Sequence, residues 1–524
     1  MDEKLEISKN EKAPPDISEI DNLSEKGLNN DARPPKFRKS PEEAKLVRKI
    51  NFALMPLICS CLFIQFIDKS TLSYASVMGL YEDTGMFIFF YLMSLNDEFH
   101  FLIKSYRIEI GISQNQFSWL GSIFYVGYLA FQVPNNFLLQ KFPLSHYLGS
   151  ILIIWGACLG CTALANDFSS LAGLRFLLGF WEGSTYPSIF LLLSTLYRRS
   201  EQSIWFGVLY ICNAVSIAVG GFIGYGIGYM DGMRGISAWK YAMIIWGSLT
   251  ALLGVAFFFF LPDKPKSRWF RLTSNEEKLV DDRTLDNAVV QSRKFKKEHI
   301  YEALREPRLY CYMLISLFLN LQNGTMTIFS NQFIVDMGFT RLESVLLNIP
   351  NGASIIILLS ILIFLSQKYN DVAYCGAAFS IVSMIGALLL CVIPSGGPKL
   401  IGLYLSATSP PGAMLNTSIS HNVAGYTKKF FYNGVNMIFY CIGNFVGPLM
   451  MAQSTAPRYI PGMAAYVVAD FLAALLFLYL RWSYKRENVR RQKLIEDGNV
   501  PPPAKNREEL DLTDKEDIYF QYRL

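Results

Sequence analysis

Arg175 and Glu182 stand inside a stretch apolar enough to cross a bilayer, Leu171 to Leu196, which reads LAGLRFLLGFWEGSTYPSIFLLLSTL. An ionised side chain at the bilayer centre costs roughly 2.5–3.5 kcal/mol on insertion scales, so two of them demand a cavity or partners. On one continuous helix, Arg175, Gly179, Glu182 and Tyr186 fall at i, i+4, i+7 and i+11 and share a face. Gly179 and Gly183 remove bulk beside the carboxylate. Pro187 frees a backbone carbonyl one turn back, which needs a polar cavity or another helix to satisfy it. A cation attracts an anion, and a carboxylate can take up and release a proton. The competing reading is an Arg–Glu pair that only fixes helix packing, with Arg175 near enough to the span end to snorkel.

Asp68 is the second candidate proton carrier. It lies in FIQFIDKSTLSYASVMGL with Gln65 and Lys69, and either points inward with Gln65 and Leu72 or is neutralised locally by Lys69. Two amide stripes follow later in the chain. Asn320, Asn323, Thr327 and Asn331 share one helical face, and Asn433, Asn436, Tyr440 and Asn444 share another. Amides either glue helices together or hydrogen-bond a polar solute. The residues expected to contact a solute are therefore Arg175, Tyr186, Asn320, Asn323, Asn433, Asn436 and Tyr440, with Glu182 and Asp68 handling protons. Gly220, Gly221, Gly224 and Gly228 form a small-residue surface for close helix contact, placed also to close one side of a transport cycle. Ser409-Pro410-Pro411-Gly412 is expected to break its helix and expose carbonyls. Asp470 is isolated and receives no role.

The elements that must position these residues are membrane helices. The chain has 524 residues, of which 52% are hydrophobic and 17% charged, and a mean hydropathy of +0.26. This composition excludes an ordinary soluble protein. Apolar runs of about twenty residues mark six spans: Ala53–Met78, Trp119–Leu139, His146–Leu164, Leu171–Leu196, Ile204–Ile227 and Trp239–Leu261. Six more follow: Leu309–Val335, Val345–Leu365, Val372–Ile393, Leu400–Ser420, Phe430–Met451 and Met463–Trp482. The division is a tail over 1–50, a bundle over 51–262, a basic loop with short amphipathic helices over 263–308, a bundle over 309–482, and a tail over 483–524. Six spans, a loop and six spans match the paired-bundle plan with a midplane site. Basic residues gather in the tails, the central loop and the Arg198-Arg199 and Lys428-Lys429 turns, which puts both termini in the cytosol. The nine cysteines lie in apolar runs and read as packed hydrophobes. No metal spacing, phosphate loop or nucleophile constellation is present, so neither an enzyme nor a nucleic-acid binder is expected.

One segment breaks the plan. Met86 to Gly111 is half apolar, yet Asn96, Asp97, Glu98 and His100 interrupt it. As a full crossing it would invert every later span against the positive charge. Gly85-Met86-Phe87 can be encoded by GGTATGTTT, which contains a donor GTATGT, and Ile110-Gly111 by ATAGGA, which contains an acceptor TAG. We read the segment as a translated intron, against the plainer alternative of an external loop insertion.

The stretch Leu174 to Gly183 (LRFLLGFWEG) with Tyr186-Pro187 resembles the fourth helix of anion:cation symporters in the major facilitator superfamily. FIDKSTLSYASVMGL, SWLGSIFYVGYLAFQVPNNFLLQKFP and NVAGYTKK resemble its fungal allantoate permease group, and the likeness runs from Met55 to Trp482. It implies an all-α major facilitator fold of twelve spans in two six-helix bundles, and proton-coupled uptake of a small carboxylated metabolite across the plasma membrane. Allantoate, ureidosuccinate and vitamin carboxylates are the substrates the resemblance suggests. It also implies anion binding at Arg175 and proton coupling at Glu182. Two departures stand out. Gln367 to Asp371 lacks the usual basic cluster, and relatives lack Met86 to Ile110. A monomer is expected, with the proton as coupling ion and no cofactor. The rivals are a nutrient sensor with a carrier fold and a facilitated exporter.

Overall fold

The computed structural model describes residues 40–83, 114–197, 199–287, 296–497 and 511–524. Among them there is no strand. Helix α1 (Pro41–Val77) starts well before the apolar run: the Ser40 hydroxyl accepts the Glu43 N–H at 3.1 Å, and Pro41 fills the first turn. Residues 41–50, expected within the tail, are therefore helical. The next helices are α2 (Gln114–Lys141), α3 (Leu144–Cys161), α4 (Phe168–Glu182), α5 (Thr185–Leu196), α6 (Arg199–Gly228) and α7 (Ala238–Phe260). The central loop contributes α8 (Ser274–Asn287) and α9 (Lys297–Leu304). The second half comprises α10 (Pro307–Asp336), α11 (Arg341–Tyr369), α12 (Val372–Val392), α13 (Lys399–Leu405), α14 (Ser409–Asn422), α15 (Tyr426–Leu449) and α16 (Ile460–Glu496).

Each half makes six crossings once α4 is joined to α5 and α13 to α14. Seven of the described helices are long and apolar enough to span on their own. The others fall short for physical reasons: α2, α10 and α15 carry polar faces, and the fourth and tenth crossings are each split in two. Splits at corresponding positions of the two halves are what a repeat-built carrier uses to place a site at the midplane. Phe222, Phe259 and Phe364 remain exposed on the outside of the bundles, as lipid-facing side chains do.

The two bundles meet most tightly at the end remote from Pro41. Ser122 Oγ of α2 donates to the Phe445 carbonyl at 2.7 Å, and the Ser73 and Ser330 hydroxyls meet at 3.3 Å. Phe117 and Phe329 pack edge to face at 5.3 Å. Gly221, Gly224 and Gly228 of α6 lie against Ile349, Val345 and Leu342 of α11, so the small-residue surface is a bundle-to-bundle contact.

Met86 to Gly111 lies outside the described residues, but its flanks are informative. Tyr81 and Phe117 stand on either side of it in the chain, and their rings are 5.2 Å apart. Direct joining would leave Thr84, Gly85, Ile112 and Ser113 to link Asp83 to Gln114, and each residue reaches about 3.3–3.6 Å. A chain lacking these 26 residues is therefore expected to fold with α1 and α2 unchanged, and to match the mature transcript across the junction. Mature message that always retains the 26 codons would refute the intron reading.

Candidate functional site

Pro187 shapes the site. It has no N–H to give, and its ring crowds the Gly183 carbonyl, so the helix ends at Glu182 and restarts at Thr185. Gln132 Nε2 of α2 donates to the Gly183 carbonyl at 3.0 Å and so satisfies the broken turn. Gly183 and Ser184 keep right-handed helical dihedrals, so the turn is opened without redirecting the chain. Glu182 is the last residue of α4, while Tyr186 belongs to α5 and its hydroxyl accepts from Asn213 Nδ2 of α6 at 2.8 Å. Gly179 lets α4 approach α2 closely: a Cβ there would sit 1.9 Å from the Phe124 carbonyl oxygen.

That approach sets three α2 rings beside the carboxylate's partner. Glu182 is fully buried; its Oε1 accepts from Gln65 Nε2 at 3.1 Å and lies 3.5 Å from Lys69 Nζ. Glu182 Oε2 has no partner. Lys69 Nζ stands 5.2, 5.5 and 5.8 Å from the ring centroids of Phe124, Tyr125 and Tyr128, a cage that favours a cation. Tyr440 of α15 closes the cage from the second bundle, its ring 6.2 Å from that of Tyr125.

Asp68 turns the other way. Its Oδ2 accepts from Thr250 Oγ1 of α7 at 2.9 Å, and Oδ1 is buried without a partner. Local neutralisation by Lys69 does not occur, because consecutive helical residues point roughly 100° apart. Asp68 thus faces the core of its own bundle, whereas Lys69 faces the interface. Arg175 is 3% exposed, so it does not snorkel, and its Nη2 has no partner. Among the described residues it forms no ion pair, although the charges of Asp68 and Glu182 both reach it. A packing pair of Arg175 with Glu182 is not formed.

The amide stripes divide. Asn323 Nδ2 donates to Asn444 Oδ1 at 2.9 Å, and Asn444 Nδ2 donates to Asn320 Oδ1 at 3.0 Å. These three bind α10 to α15 where Gly443 and Gly447 let the helices touch. Asn320 and Asn323 therefore act as interhelical glue in this conformation. Asn436 is different: its Nδ2 donates to Asn416 Oδ1 at 3.1 Å, and Asn416 Nδ2 donates across the interface to Tyr210 OH of α6 at 2.8 Å. Asn436 Oδ1 is left without a partner. Asn433 is exposed. The break in the tenth crossing falls at 406–408, ahead of the prolines, which occupy the first turn of α14. The Ser406 carbonyl is taken by Gln322 Nε2 at 3.0 Å, so it is satisfied by protein.

Lys69, Gln65, Asn213, Tyr210 and Asn416 are the members that the sequence reading did not assign. Gln65 and Lys69 are spaced i, i+4, which places both on the face that meets Glu182, and that spacing was the available signal. Tyr210 and Asn213 share one run at i, i+3, and Asn416 stands beside Thr417 and Ser418, but neither pattern names a partner.

Twelve crossings in two bundles, with ionisable side chains gathered where the bundles meet, define a membrane carrier architecture. Residues 58–448 match the model of the Major Facilitator Superfamily, and the chain belongs to that family. It is 34% identical over 491 residues to an uncharacterized transporter of Schizosaccharomyces pombe, covering 92% of this chain and 90% of the relative. It is 29% identical over 505 residues to the allantoate permease of Saccharomyces cerevisiae, covering 93% and 87%. Its fold matches a bacterial homolog of the human lysosomal transporter Spinster, crystallised in an inward-facing and occupied conformation. The TM-score is 0.59 at 12% identity, over 84% of this chain and 97% of that one. The chain is thus a multi-pass membrane transporter.

Proposed function

We propose that this transporter carries a small organic anion together with protons, by exposing the site between its bundles to each side of the membrane in turn. The observation that carries the reading is Lys69, caged by aromatic rings and 3.5 Å from Glu182 at the bundle interface. While Glu182 is ionised it holds the ammonium and the Gln65 amide. Protonation of Glu182 removes the competing anion and leaves Lys69 to a substrate carboxylate. Proton and anion then bind together, which is the logic of symport. Arg175 and the hydroxyls of Tyr186 and Tyr440 supply further donors, and Asp68 is placed to take a second proton. With two protons and a monoanion, the loaded carrier moves one net positive charge, driven by roughly 2.3 kcal/mol per 100 mV.

The likeness to the allantoate permease of yeast supports an allantoate-like carboxylate as substrate. The basic turns support a plasma-membrane orientation with both chain ends inside, and no cofactor enters the scheme. Reconstituted vesicles test it. Labelled allantoate or ureidosuccinate should accumulate when the outside is acidic, and a protonophore should collapse the accumulation. Flux indifferent to protonophore would sink symport, and absent flux would favour the sensor reading.

Arg175→Lys and Arg175→Ala give a sharper test. The guanidinium offers a fork that lysine lacks, and a charged hydrogen bond is worth about 1.5–3 kcal/mol. Substrate affinity should fall roughly 10- to 150-fold in Arg175→Ala and less in Arg175→Lys. Unchanged affinity in both would take Arg175 out of the site.

A further inference from the structure

The stretch Asp511–Leu524 forms no helix, yet it is held like a core segment. Thr513 is 0%, Asp514 2% and Tyr522 4% exposed. Lys428, at the start of α15 and itself fully buried, donates to Asp514 Oδ1 at 2.7 Å, to Glu302 at 2.8 Å and to Glu306 at 2.6 Å. Arg491 of α16 donates to the carbonyls of Asp514 at 2.8 Å and Phe520 at 2.7 Å. Asn422, closing α14, exchanges two hydrogen bonds with the Arg523 backbone at 2.9 and 2.8 Å, and Val372 N of α12 donates to the Leu524 carbonyl at 2.6 Å. One strap thus ties the ends of α12, α14, α15 and α16 together at the end where α1 begins.

The strap can leave without stranding a buried charge. Lys428 would keep Glu302 and Glu306, and Arg491 would keep Glu487 at 3.1 Å. Thr513 sits where that balance is tightest. Its hydroxyl donates to Glu302 Oε2 at 3.1 Å and accepts the Glu516 N–H at 3.2 Å, while its own N–H donates to Glu516 Oε2 at 2.8 Å. Glu302 and Glu516 therefore flank the hydroxyl of a fully buried residue, and Lys428 stands beyond Glu302 at 2.8 Å. In sequence, Thr513 is followed by Asp514, Glu516 and Asp517, the acidic pattern that an acidophilic Ser/Thr kinase reads.

The geometry points to Thr513 as a phosphorylation site whose modification releases the strap from the second bundle. The kinase acts on the undocked fraction of the strap. Thr513 Oγ attacks the γ-phosphorus of ATP, the bond to the β-phosphate oxygen breaks, ADP leaves, and the hydroxyl proton passes to the kinase base. The phosphate then carries about −1.5 to −2 charge beside Glu302 and Glu516, where the single Lys428 ammonium is already shared by Glu302, Glu306 and Asp514, so redocking is opposed by repulsion as well as by lack of room. Access to ATP rests on the proposed cytosolic placement of the chain ends.

The test uses the full-length protein in nanodiscs and reads backbone hydrogen exchange over 511–524. Thr513→Glu should raise exchange there on the order of tenfold or more, with the interiors of α12 and α15 unaffected. Thr513→Val, which keeps the shape without the hydroxyl, should stay protected. Wild type treated with an acidophilic kinase and ATP should gain one phosphate that Thr513→Val does not, and should lose strap protection to the same extent. This treatment replaces Thr513→Glu should that variant fail to fold. Strap protection unchanged by the phosphate, or phosphate uptake undiminished in Thr513→Val, overturns the proposal. None of these readouts involves flux, so their failure leaves the transport reading standing.

Discussion

Glu182→Gln should abolish pH-driven accumulation while sparing exchange of substrate between two loaded faces. Glutamine has the size of the protonated side chain but no proton to release. Gln65 Nε2 can still donate to the amide oxygen at the position where it now meets Oε1 at 3.1 Å. Lys69 would lose the only carboxylate that pairs with it among the described residues and stay available to the substrate in both conformations. Each coupled proton sustains roughly tenfold accumulation per unit of pH gradient, because one pH unit is about 1.4 kcal/mol. The variant should therefore equilibrate its substrate and concentrate it no further, whatever the gradient. Counterflow from preloaded vesicles should persist. Should Glu182→Gln still concentrate substrate in step with pH, coupling would belong elsewhere, and Asp68, with its unpartnered Oδ1, is the next group to replace.

Much of the frame was legible because bilayer burial writes itself plainly into sequence. Runs of about twenty apolar residues have few other uses, and the basic turns between them carry the proposed orientation. An arginine and a glutamate inside one run likewise mark a candidate site. What could not be read was direction. Pro187 announced a freed carbonyl one turn back, but not that Gln132 would arrive from α2 to take it. Asp68 and Lys69 are neighbours in sequence, which left local pairing and an inward-facing Asp68 both open. The placement of α7 gives Thr250 to Asp68, and that of α4 gives Glu182 to Lys69.

The amides show the same limit. Asn320, Asn323, Asn436 and Asn416 are chemically alike and all lie in spans, so sequence alone cannot sort glue from lining. Helix-to-helix distance sorts them. Where Gly443 and Gly447 bring α15 onto α10, the amides saturate one another. Where α14 and α6 stand opposite each other at the interface, one amide reaches a tyrosine across the gap and another keeps an unpartnered oxygen. Buried polar atoms without a partner occur in several places, Asn135, Trp155 and Asp470 among them, and they include Gln65, Tyr125, Glu182, Asn213 and Asn436 around the candidate site. In a well-packed protein such atoms are rare and call for an explanation. A polar solute that binds between the bundles supplies one.

Lys69 should prove the most sensitive single position for substrate binding. In wild type, the dissociation constant is expected to tighten as pH falls, since protonating Glu182 takes away the anion that competes for the ammonium. Lys69→Gln removes the object of that competition. Affinity should drop by about two orders of magnitude, the scale of a charged hydrogen bond made out of water, and the remaining binding should no longer depend on pH through Glu182. Lys69→Arg keeps the charge but must fit a wider, flat head among Phe124, Tyr125 and Tyr128, whose rings stand 5.2–5.8 Å from the present ammonium; partial affinity is expected. The decisive measurement is a double-mutant cycle on substrate affinity at two pH values. If the two groups exchange a proton for an anion, adding Glu182→Gln to Lys69→Gln should change affinity far less than Glu182→Gln does alone. Additive effects across the cycle, or Lys69→Gln binding as tightly as wild type with the same pH dependence, would mean that the caged lysine only braces the helices.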